Sequence, residues 1–539
     1  MVHHGSETFH IEGEGVVATQ LGGRSGHDPD PLNAPDGPPT APATRQLAAG
    51  EAPEFRFSRV GPKGRRLRLA LARKLATAMV DEGGGTGREG IPAGYTYLGQ
   101  FVDHDLTLDR SALVPGGEQD PLTILSGRSP RLDLDCLYGL GPQHPDSEKF
   151  FAADGVKLKV GTTSPFGSLP SHAERDLPRV GVGTDAEARR ALIPDHRNDE
   201  NLAVAQTHVA FINFHNKVVD KVPDSVAASR RFSRARRAVT LHYQWLLRHD
   251  YLPRIVVPRI LDDVWEDGRK VFEAGASPID VPTMPVEFSA AAFRMGHSMI
   301  RGAYNWNAEF PVDAGTLGFL FTFSGTSGDM FGATTLPSNW IVDWRRLYDF
   351  PAAGKPGLAA PGGTNLAMRL DTRLTDPLRE LPLLGLDADE TLPVMQRNQA
   401  FRNLVRGSLL RLASGQQMVK LFRDAGLTTK ALTRAQIIDG SGGARLTGLT
   451  SAEKDAIATR TPLWFYVLRE AEVTDGLMRG VGGRLVAETF HRAIEGSRNS
   501  IVRNADWTPT FGPRRGTFEM TDLLQFTYGS TKKALAPVG

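Results

Sequence analysis

Apolar residues recur at helical spacing in several long stretches of this chain. Clear examples are 66–82, 201–222, 233–252, 401–426 and 461–473. In the second stretch, Leu202, Ala205 and Val209 fall on one helical face. Strand patterns are sparse by comparison. The sequence therefore predicts a mainly α protein with long irregular loops and little β structure.

The charge and composition exclude several classes of partner. The chain has 63 basic and 61 acidic residues, intermixed, for a net charge of +2, so nothing predicts a nucleic-acid surface. No apolar run approaches the roughly 18 residues that cross a bilayer, and no membrane span is expected. The first ten residues lack the layout of a secretory signal, so we expect a cytoplasmic or non-classically secreted protein.

The chain contains a single cysteine, Cys136. One cysteine excludes an intramolecular disulfide, a Cys-rich zinc site and a Cys-x-x-Cys-His attachment of haem. Any metal or cofactor must therefore be held by other side chains.

A polar cluster interrupts the apolar stretch YLGQFVDHDLTLD at 97–109. In a helix, Gln100 and His104 lie one turn apart on one face, with Asp103 beside them. A polar face centred on a histidine is costly inside an apolar segment unless it meets a ligand, a metal or a partner charge. For a histidine taken alone, a hydrogen-bonded core residue is the alternative.

A second cluster, IPDHRNDENL at 193–202, places Arg197 and Glu200 three residues apart before a strongly apolar helix. Arginine keeps its charge when buried and presents a fixed fork of donors, which suits stabilisation of charge on a breaking O–O bond. A surface cluster at a helix start is the alternative.

A third stretch, PVEFSAAAFRMGHSMIRGAY at 285–304, predicts a helix that carries Arg294 and His297. Its small residues at 289–292 and Gly296 would let the backbone approach a flat ligand. A neutral imidazole such as His297 is a common axial ligand of haem iron, and its other nitrogen then needs a partner from elsewhere in the chain.

These three clusters together resemble one family. GQFVDHD resembles the distal-histidine motif of the animal-type haem peroxidases, in the peroxidase-cyclooxygenase superfamily, and the other two clusters match that family's arginine and proximal-histidine motifs in the same order. The likeness runs from about Tyr95 to DLLQFTYGS. It implies one catalytic domain over 61–535, preceded by an arm over 1–60 that is partly disordered or wrapped on the surface.

The resemblance assigns roles to residues on both sides of a haem. It implies that His104 is the distal acid–base group, that Gln100 contacts water or halide, and that Arg197 is the catalytic arginine. It makes His297 the proximal ligand of the haem iron. FRNLVRGS at 401–408 is similar to the family segment that supplies an asparagine to that histidine, here Asn403.

Further haem contacts follow from the same resemblance. Arg294 and Arg406 match positions that contact haem propionates, although ordinary helix residues are the alternative for both and for Asn403. Asp103 and Glu200 match the two carboxylates that form ester links, so haem b or an ester-linked haem is expected. Asn201 stands where a methionine would make a sulfonium link, which excludes that third link.

The stretch SPRLDLDCLYG at 129–139 resembles the calcium loop of the family. Ca²⁺ prefers several oxygen ligands. The predicted ligands are Asp105, Ser129, the carbonyl of Arg131, Asp133 and Asp135. A solvated acidic turn is the alternative.

His208 and His215 share one helix face. In the family that this chain resembles, the corresponding helix packs beside the haem pocket. We therefore expect both side chains to be hydrogen-bonded core residues rather than ligands.

The resemblance implies a haem peroxidase that reduces hydrogen peroxide and oxidises small organic or halide substrates through a ferryl intermediate, with a role in the response to oxidative stress. One alternative is a fatty-acid dioxygenase of the same superfamily. That enzyme uses a tyrosine three residues before the proximal histidine, where this chain has Arg294. The other is a haem-binding scaffold without turnover, for which the distal residues would be unnecessary.

Overall fold

The computed structural model describes most of the chain. The described residues are 9–12, 15–18, 55–81, 87–109, 120, 124–381, 397–513 and 516–539. Most of the predicted arm over 1–60 lies outside them.

The described residues are mainly helical, which confirms the predicted fold class. The longer α-helices are α1 (Leu69–Met79), α2 (Gly94–Leu106), α3 (Leu202–Val219), α4 (Ala228–Leu246), α5 (Pro258–Asp267), α6 (Gln399–Leu409), α7 (Gly415–Asp424), α8 (Ser451–Thr459), α9 (Leu463–Glu472), α10 (Gly480–Glu495) and α11 (Met520–Tyr528). Shorter α-helices are Asp135–Tyr138, Asp185–Arg189, Leu252–Ile255, Val286–Ser289, Leu317–Thr322, Trp344–Leu347, Arg434–Asp439 and Lys532–Leu535.

Several 3₁₀ segments connect these helices. They are Glu148–Phe150, His196–Asp199, Ala292–Met299, Met330–Gly332, Ser338–Trp340, Pro356–Leu358 and Asp376–Arg379, and a π-helical turn covers Leu247–Tyr251. The segment Ala292–Met299 carries His297 and is called the proximal segment below.

The strands are short and form small separate sheets. Pairs form between Phe9–Glu12 and Gly15–Ala18, Val80–Asp81 and Leu374–Thr375, Gly87–Pro92 and Leu366–Met368, Gly161–Thr162 and Ala173–Asp176, and Ala303–Tyr304 and Gly315–Thr316. The Val80–Asp81 pair is parallel and the others are antiparallel.

One three-stranded sheet joins the end of the predicted arm to the body. Its central strand, Phe55–Ser58, is antiparallel to Leu125–Ser126 and parallel to Met284–Pro285. Phe55 and Phe57 are buried. Residues 55–58 therefore pack with the body, ahead of the boundary at 61 that the sequence suggested.

Two helices form the centre of the molecule. In α2, eleven of thirteen residues are buried, and α3 is buried along nearly its whole length. A helix that is apolar or buried all round lies inside a core rather than on its surface. The structure packs α2 against α3 on one side and against the proximal segment on another.

Two predicted helices are divided in the structure. The stretch 401–426 is split into α6 and α7, with Arg411 in a left-handed conformation (φ 48°) between them. The stretch 285–304 is a short helix followed by the proximal segment, because the backbone at Ala291 (φ −139°, ψ −74°) is not helical. At this break, the Ser289 carbonyl accepts a hydrogen bond from Nε of Arg294 (3.0 Å).

Among the described residues, every helix is too short or too polar to cross a bilayer.

Candidate active site

A cavity lies where α2, the start of α3 and the proximal segment meet. Its volume is about 730 Å³, counting the space open to solvent. The lining residues are Thr96, Tyr97, Gly99, Gln100, Asp103, His104, Glu200, Asn201, Tyr251, Phe293, Arg294, Met295, Gly296, His297, Met299, Ile300, Leu317 and Phe321. His104 and His297 thus face the same space, although 192 positions separate them in the sequence.

Two glycines shape this cavity. A Cβ added at Gly296 would meet no atom within 4 Å, so the space above its backbone is open. At Gly99, an added Cβ would lie 2.3 Å from the hydroxyl oxygen of Tyr251, which allows no side chain there. The backbone of the proximal segment can therefore be approached closely by a flat ligand.

His104 is fully buried and is held through one ring nitrogen. Its Nδ1 lies 2.9 Å from Oδ1 of Asn198, and its Nε2 lies 3.6 Å from Oε1 of Glu200. Burial, helped by the positive charge of Arg197, lowers the pKa of His104 to about 3. The side chain is therefore a neutral imidazole at ordinary pH.

Arg197 is buried behind His104, and the structure does not bring it onto the cavity lining. Its guanidinium donates to Asp195 (3.0 and 2.7 Å) and to the backbone carbonyls of His104 (3.1 Å) and Thr107 (2.7 Å). Within the described part of the chain, its Nη1 has no hydrogen-bond partner. Arg197 therefore holds the C-terminal end of α2 in place through these carbonyls, and Nη1 is its one donor without a partner among the described residues.

Gln100 is clamped at both ends of its amide. Its Nε2 donates to Oε1 of Glu200 (2.5 Å), and its Oε1 accepts from Nδ2 of Asn201 (3.0 Å). Asn201 also caps α3, because its Oδ1 accepts from the backbone of Val204 (2.9 Å). The residue that replaces the methionine of the family motif therefore orients Gln100.

Two carboxyl groups that line the cavity have raised pKa values. Burial raises the pKa of Asp103, while Arg294 and Arg197 oppose the shift. Burial also raises the pKa of Glu200 well above its usual range, with Arg197 opposing. Both carboxyl groups thus lie on the lining that also includes His104 and His297.

His297 is partly buried and is contacted by amides from α6. Nδ2 of Asn403 lies 2.9 Å from its Nδ1, and Nε2 of Gln399 lies 3.4 Å from the same atom. Oδ1 of Asn403 accepts from Gln399 (3.1 Å) and from Nη1 of Arg294 (3.2 Å). The structure thus places Asn403 next to His297, the pairing that the sequence suggested, and it also places Arg294 against Asn403.

Arg406 lies apart from this group. It is buried, and its Nη2 donates to Oδ2 of Asp109 (2.5 Å). It is not among the residues that line the cavity. The sequence did not predict this ion pair with Asp109.

The predicted calcium ligands form a buried loop next to α2. Both carboxylate oxygens of Asp105 accept bonds, from the backbone of Leu134 (3.2 Å) and Cys136 (3.3 Å). Burial and the nearby Asp135 and Asp133 raise the pKa of Asp105 to about 8.

Other oxygens of this loop are engaged unevenly. The backbone of Ser129 donates to Asp135 (3.1 Å), and Asp133 accepts from the backbone of Arg498 (3.3 Å). Oγ of Ser129 and Oδ1 of Asp133 are buried without a partner in the described residues, and Arg131 is buried beside them. In that same part of the chain, no three His, Cys, Asp or Glu side chains are arranged as a metal site.

The two histidines on α3 differ from each other. His215 is hydrogen-bonded, by Nδ1 to the hydroxyl of Tyr138 (3.0 Å) and by Nε2 to the carbonyl of Val156 (2.9 Å). His208 is buried edge-on against Phe101, and in the described residues neither ring nitrogen has a partner. The expectation of core hydrogen bonding is therefore correct for His215, whereas His208 is a core residue that packs on Phe101 with no hydrogen bond among the described residues.

Three residues near His104 were not predicted from the sequence: Asn198, Asp195 and Arg128. Asn198 contacts His104, and Asp195 binds Arg197 together with Arg128. Asn198 and Asp195 lie within the cluster IPDHRNDENL that was already singled out, so their place in it was the available signal. No sequence signal marked Arg128, because its contact with Asp195 spans 67 positions of sequence.

Comparisons with known proteins find peroxidases among the similar proteins. The family model described as animal haem peroxidase matches residues 110–317, which include Arg197 and His297 but not α2. A peroxidase-like protein of Margaritifera margaritifera is 28% identical over 255 residues, covering 39% of this chain and 32% of that protein. Thyroid peroxidase of Rattus norvegicus is 26% identical over 187 residues, covering 34% of this chain and 20% of that protein. These alignments span a third or less of the relatives' own length.

Solved structures share the fold over most of the chain. Peroxidase A from Dictyostelium discoideum has a TM-score of 0.53 at 14% identity and covers 90% of this chain and 95% of its own. The fatty acid alpha-dioxygenase of Arabidopsis thaliana also has a TM-score of 0.53, at 11% identity, and covers 90% of this chain and 77% of its own. At such identities the likeness shows the fold alone. Together, the sequence matches and the shared fold make this chain similar to the animal haem peroxidases.

Proposed function

We propose that the protein is a haem peroxidase that reduces hydrogen peroxide and oxidises small organic or halide substrates. The observation that carries the proposal is the shared cavity, whose lining includes a neutral, buried His104 and the amide-contacted His297. Such a pair supplies an acid–base group and an axial ligand around one flat cofactor.

The residues present fit a haem. The open space above Gly296 suits a porphyrin edge, and Arg294, a cation on the lining, suits a propionate. His297 would ligate the iron through Nε2, the ring nitrogen that Asn403 does not contact. When bound, the haem would supply the redox chemistry by which peroxide is reduced and a substrate is oxidised.

On the peroxide side, His104 would move the proton. Because its Nδ1–H donates to Asn198, its Nε2 is the atom that can accept a proton from the nearer peroxide oxygen and return it to the departing one. Nη1 of Arg197, which has no partner among the described residues, is the donor that could stabilise charge on that oxygen. Direct contact between Arg197 and peroxide stays a prediction.

On the other side, Asn403 has to turn. Iron ligation through Nε2 requires that Nδ1 of His297 carries a proton, and that proton needs an acceptor. In the structure the amide nitrogen of Asn403 faces Nδ1, while its oxygen accepts from Arg294. A propionate that binds Arg294 would remove one of the two donors to Oδ1 of Asn403, the other being Gln399, and would so favour the turn that lets Oδ1 accept from Nδ1–H.

Asp103 and Glu200 are the proposed sites of ester links to the haem. Both line the cavity, and burial favours the neutral carboxyl form of each. Acid-acetone extraction of the loaded protein tests this. Haem that stays with wild-type protein but is extracted from the Asp103→Asn, Glu200→Gln double variant supports the links, whereas full extraction from wild type contradicts them.

We also propose that the loop at 129–135 binds Ca²⁺. The support is the buried Oγ of Ser129 and Oδ1 of Asp133, both without partners among the described residues, and the neighbouring carboxylates of Asp105 and Asp135. The carbonyl of Arg131 completes the proposed set.

A fatty-acid dioxygenase is the second candidate. The apolar end of the cavity, with Ile300, Leu317 and Phe321, could receive a hydrocarbon chain, and Tyr97 and Tyr251 are on the lining. Arg294 stands where the dioxygenase tyrosine is expected, which places this candidate second. Oxygen uptake with an unsaturated fatty acid, in the absence of peroxide, would favour it.

The test of the main proposal is stopped-flow absorption of the haem-loaded protein mixed with peroxide, followed by guaiacol or iodide. A peroxide-dependent spectral change that either reductant reverses supports a peroxidase. A bound haem whose spectrum peroxide leaves unchanged would instead support a scaffold without turnover.

A further inference from the structure

We propose that Asn198 is a positioning residue that fixes the tautomer and the orientation of His104. By accepting a hydrogen bond from Nδ1–H, Asn198 keeps the ring proton on Nδ1 and directs the unprotonated Nε2 toward the cavity. This inference rests on the proposed role of His104 as the acid–base group.

The contact between the two side chains is short and buried. Oδ1 of Asn198 lies 2.9 Å from Nδ1 of His104, and both residues are buried, with exposed fractions of 0% and 1%. An amide oxygen can only accept a hydrogen bond, so the proton of the neutral ring lies on Nδ1. A neutral imidazole carries one proton, and Nε2 is therefore the basic atom.

The turn that carries Asn198 is itself firmly anchored. Asn198 lies in the 3₁₀ segment His196–Asp199, and its backbone N–H donates to the carbonyl of Asp195 (3.0 Å). The carboxylate of Asp195 receives bidentate bonds from Arg197 and two bonds from Arg128 (3.1 and 2.5 Å). A buried carboxylate shared by two arginines resists displacement, because moving it would leave buried charges unpaired.

The same two arginines also hold the backbone of His104. Nε of Arg128 and Nη2 of Arg197 donate to the His104 carbonyl, at 3.2 and 3.1 Å. Two attachments therefore join His104 to this turn. The two arginines, which bind Asp195, hold its carbonyl, and Asn198 holds its ring. The first attachment fixes the backbone, and the second fixes the ring through Nδ1, while Nε2 lies 3.6 Å from Oε1 of Glu200.

This arrangement has a chemical consequence for proton transfer. While Nε2 takes the proton from peroxide, the ring becomes an imidazolium, and its Nδ1–H bond to Asn198 becomes charge-assisted and stronger. When Nε2 returns the proton to the departing oxygen, the ring regains its starting tautomer. Asn198 gains and loses no proton, so it acts only through His104.

The test compares wild type with Asn198→Leu, which removes the acceptor, and Asn198→Asp, which retains an acceptor oxygen at the same place. Asn213→Leu is the matched control. Asn213 is also buried, and its side-chain amide donates a hydrogen bond to the carbonyl of Glu174 (2.8 Å), but it does not line the cavity. Folding of every variant is checked by circular dichroism.

The first readout is independent of activity. Nitrogen-15 NMR of the full chain with labelled histidine, assigned through His104→Gln, reports which ring nitrogen of His104 is protonated. We expect the Nδ1–H form in wild type, Asn198→Asp and Asn213→Leu, and a changed or mixed form in Asn198→Leu. An Nε2–H form in wild type, or an unchanged spectrum in Asn198→Leu, overturns the inference.

The second readout uses haem-loaded protein. Ferric haem binds cyanide most tightly when a distal base takes the proton of HCN, so we expect Asn198→Leu to weaken cyanide binding. We expect the same variant to slow the peroxide reaction by about 10- to 100-fold, as removal of an orienting partner does at metal sites. Asn198→Asp should recover both properties. Equal values for Asn198→Leu and Asn213→Leu contradict the inference.

The two proposals can fail separately. If haem-loaded wild type does not react with peroxide, the proposed function fails, while the NMR result still decides how Asn198 holds His104. If wild type reacts and Asn198→Leu matches it in tautomer, cyanide affinity and rate, only the role of Asn198 is wrong.

Discussion

The two histidines of the cavity are held in place by different kinds of neighbouring residue. His104 lies near the end of the regular helix α2, and a buried turn with two arginines holds both its ring and its backbone. His297 lies in a 3₁₀ segment and is partly buried, and its Nδ1 is contacted by the neutral amides of Asn403 and Gln399.

The difference suits two tasks. An acid–base group has to keep one tautomer and one position before peroxide arrives, and charged, buried anchors provide that rigidity. An axial ligand is fixed by the iron itself, so its protein partner need only set the protonation of Nδ1. We therefore expect changes on the His104 side to affect the reaction rate and changes on the His297 side to affect cofactor binding.

The largest expected effect is on the His104 side. His104→Ala should slow the reaction of the haem-loaded protein with peroxide by about 10²–10⁴-fold, because the proton carrier is lost. Haem affinity should stay near that of wild type. Stopped-flow rates and a haem titration measure the two quantities, and a variant that reacts at the wild-type rate would remove the distinction between the two sides.

A smaller effect is expected from Asn403 on the opposite side. Asn403→Leu removes the partner of His297 Nδ1 and should weaken haem binding by about 10- to 100-fold. Gln399, whose Nε2 lies 3.4 Å from the same nitrogen, provides a matched control as Gln399→Leu, with a weaker effect. If Asn403→Leu changed the peroxide rate and left haem affinity intact, the assignment of tasks would be reversed.

Calcium should stabilise the His104 side, because the proposed ligand Asp105 follows His104 directly. At a Ca²⁺ concentration of 100 times Kd, binding contributes about 2.7 kcal/mol to the free energy of unfolding. We expect chelation to lower the unfolding temperature of wild type but not of Asp133→Asn, as measured by calorimetry. The exposed Asp146→Asn should behave like wild type, and an equal response of all three proteins would argue against the site.

Acid should gradually remove the part of the stability that depends on a neutral His215. Burial lowers the pKa of His215 to about 4, below its usual value of 6.5. The unfolded chain therefore binds more protons below pH 6.5, and the free energy of unfolding falls as the pH decreases from 6.5 to about 4, by at most about 1.4 kcal/mol per pH unit for one histidine. Urea unfolding should show a shallower pH dependence for His215→Gln than for the partly exposed His144→Gln. Parallel curves would contradict the shift.

The sequence predicted the His104 side better than its surroundings. Gln100, Asp103 and His104 could be placed on one face because α2 is a regular helix, in which spacing determines direction. The break at Ala291 could not be foreseen, because small apolar residues fit a continuous helix and a broken one equally well.

Long-range ion pairs were also beyond the sequence. Arg406 matched a propionate-binding position, yet it pairs with Asp109, 297 positions away. Arg197 matched the catalytic arginine, yet Asp195 and two carbonyls occupy most of its donors. Periodicity describes which face a side chain lies on, but the choice of partner depends on how distant segments pack.

The central claim is that His297 and His104 lie on opposite sides of one haem, with His297 as the iron ligand. The most direct test is the absorption and resonance Raman spectrum of ferric and ferrous haem titrated into wild type, His297→Ala and His104→Ala. We predict one haem per chain with a histidine–iron signal in wild type and His104→Ala, and loss of that signal in His297→Ala. A histidine–iron signal that survives in His297→Ala, or that disappears in His104→Ala, would contradict the account.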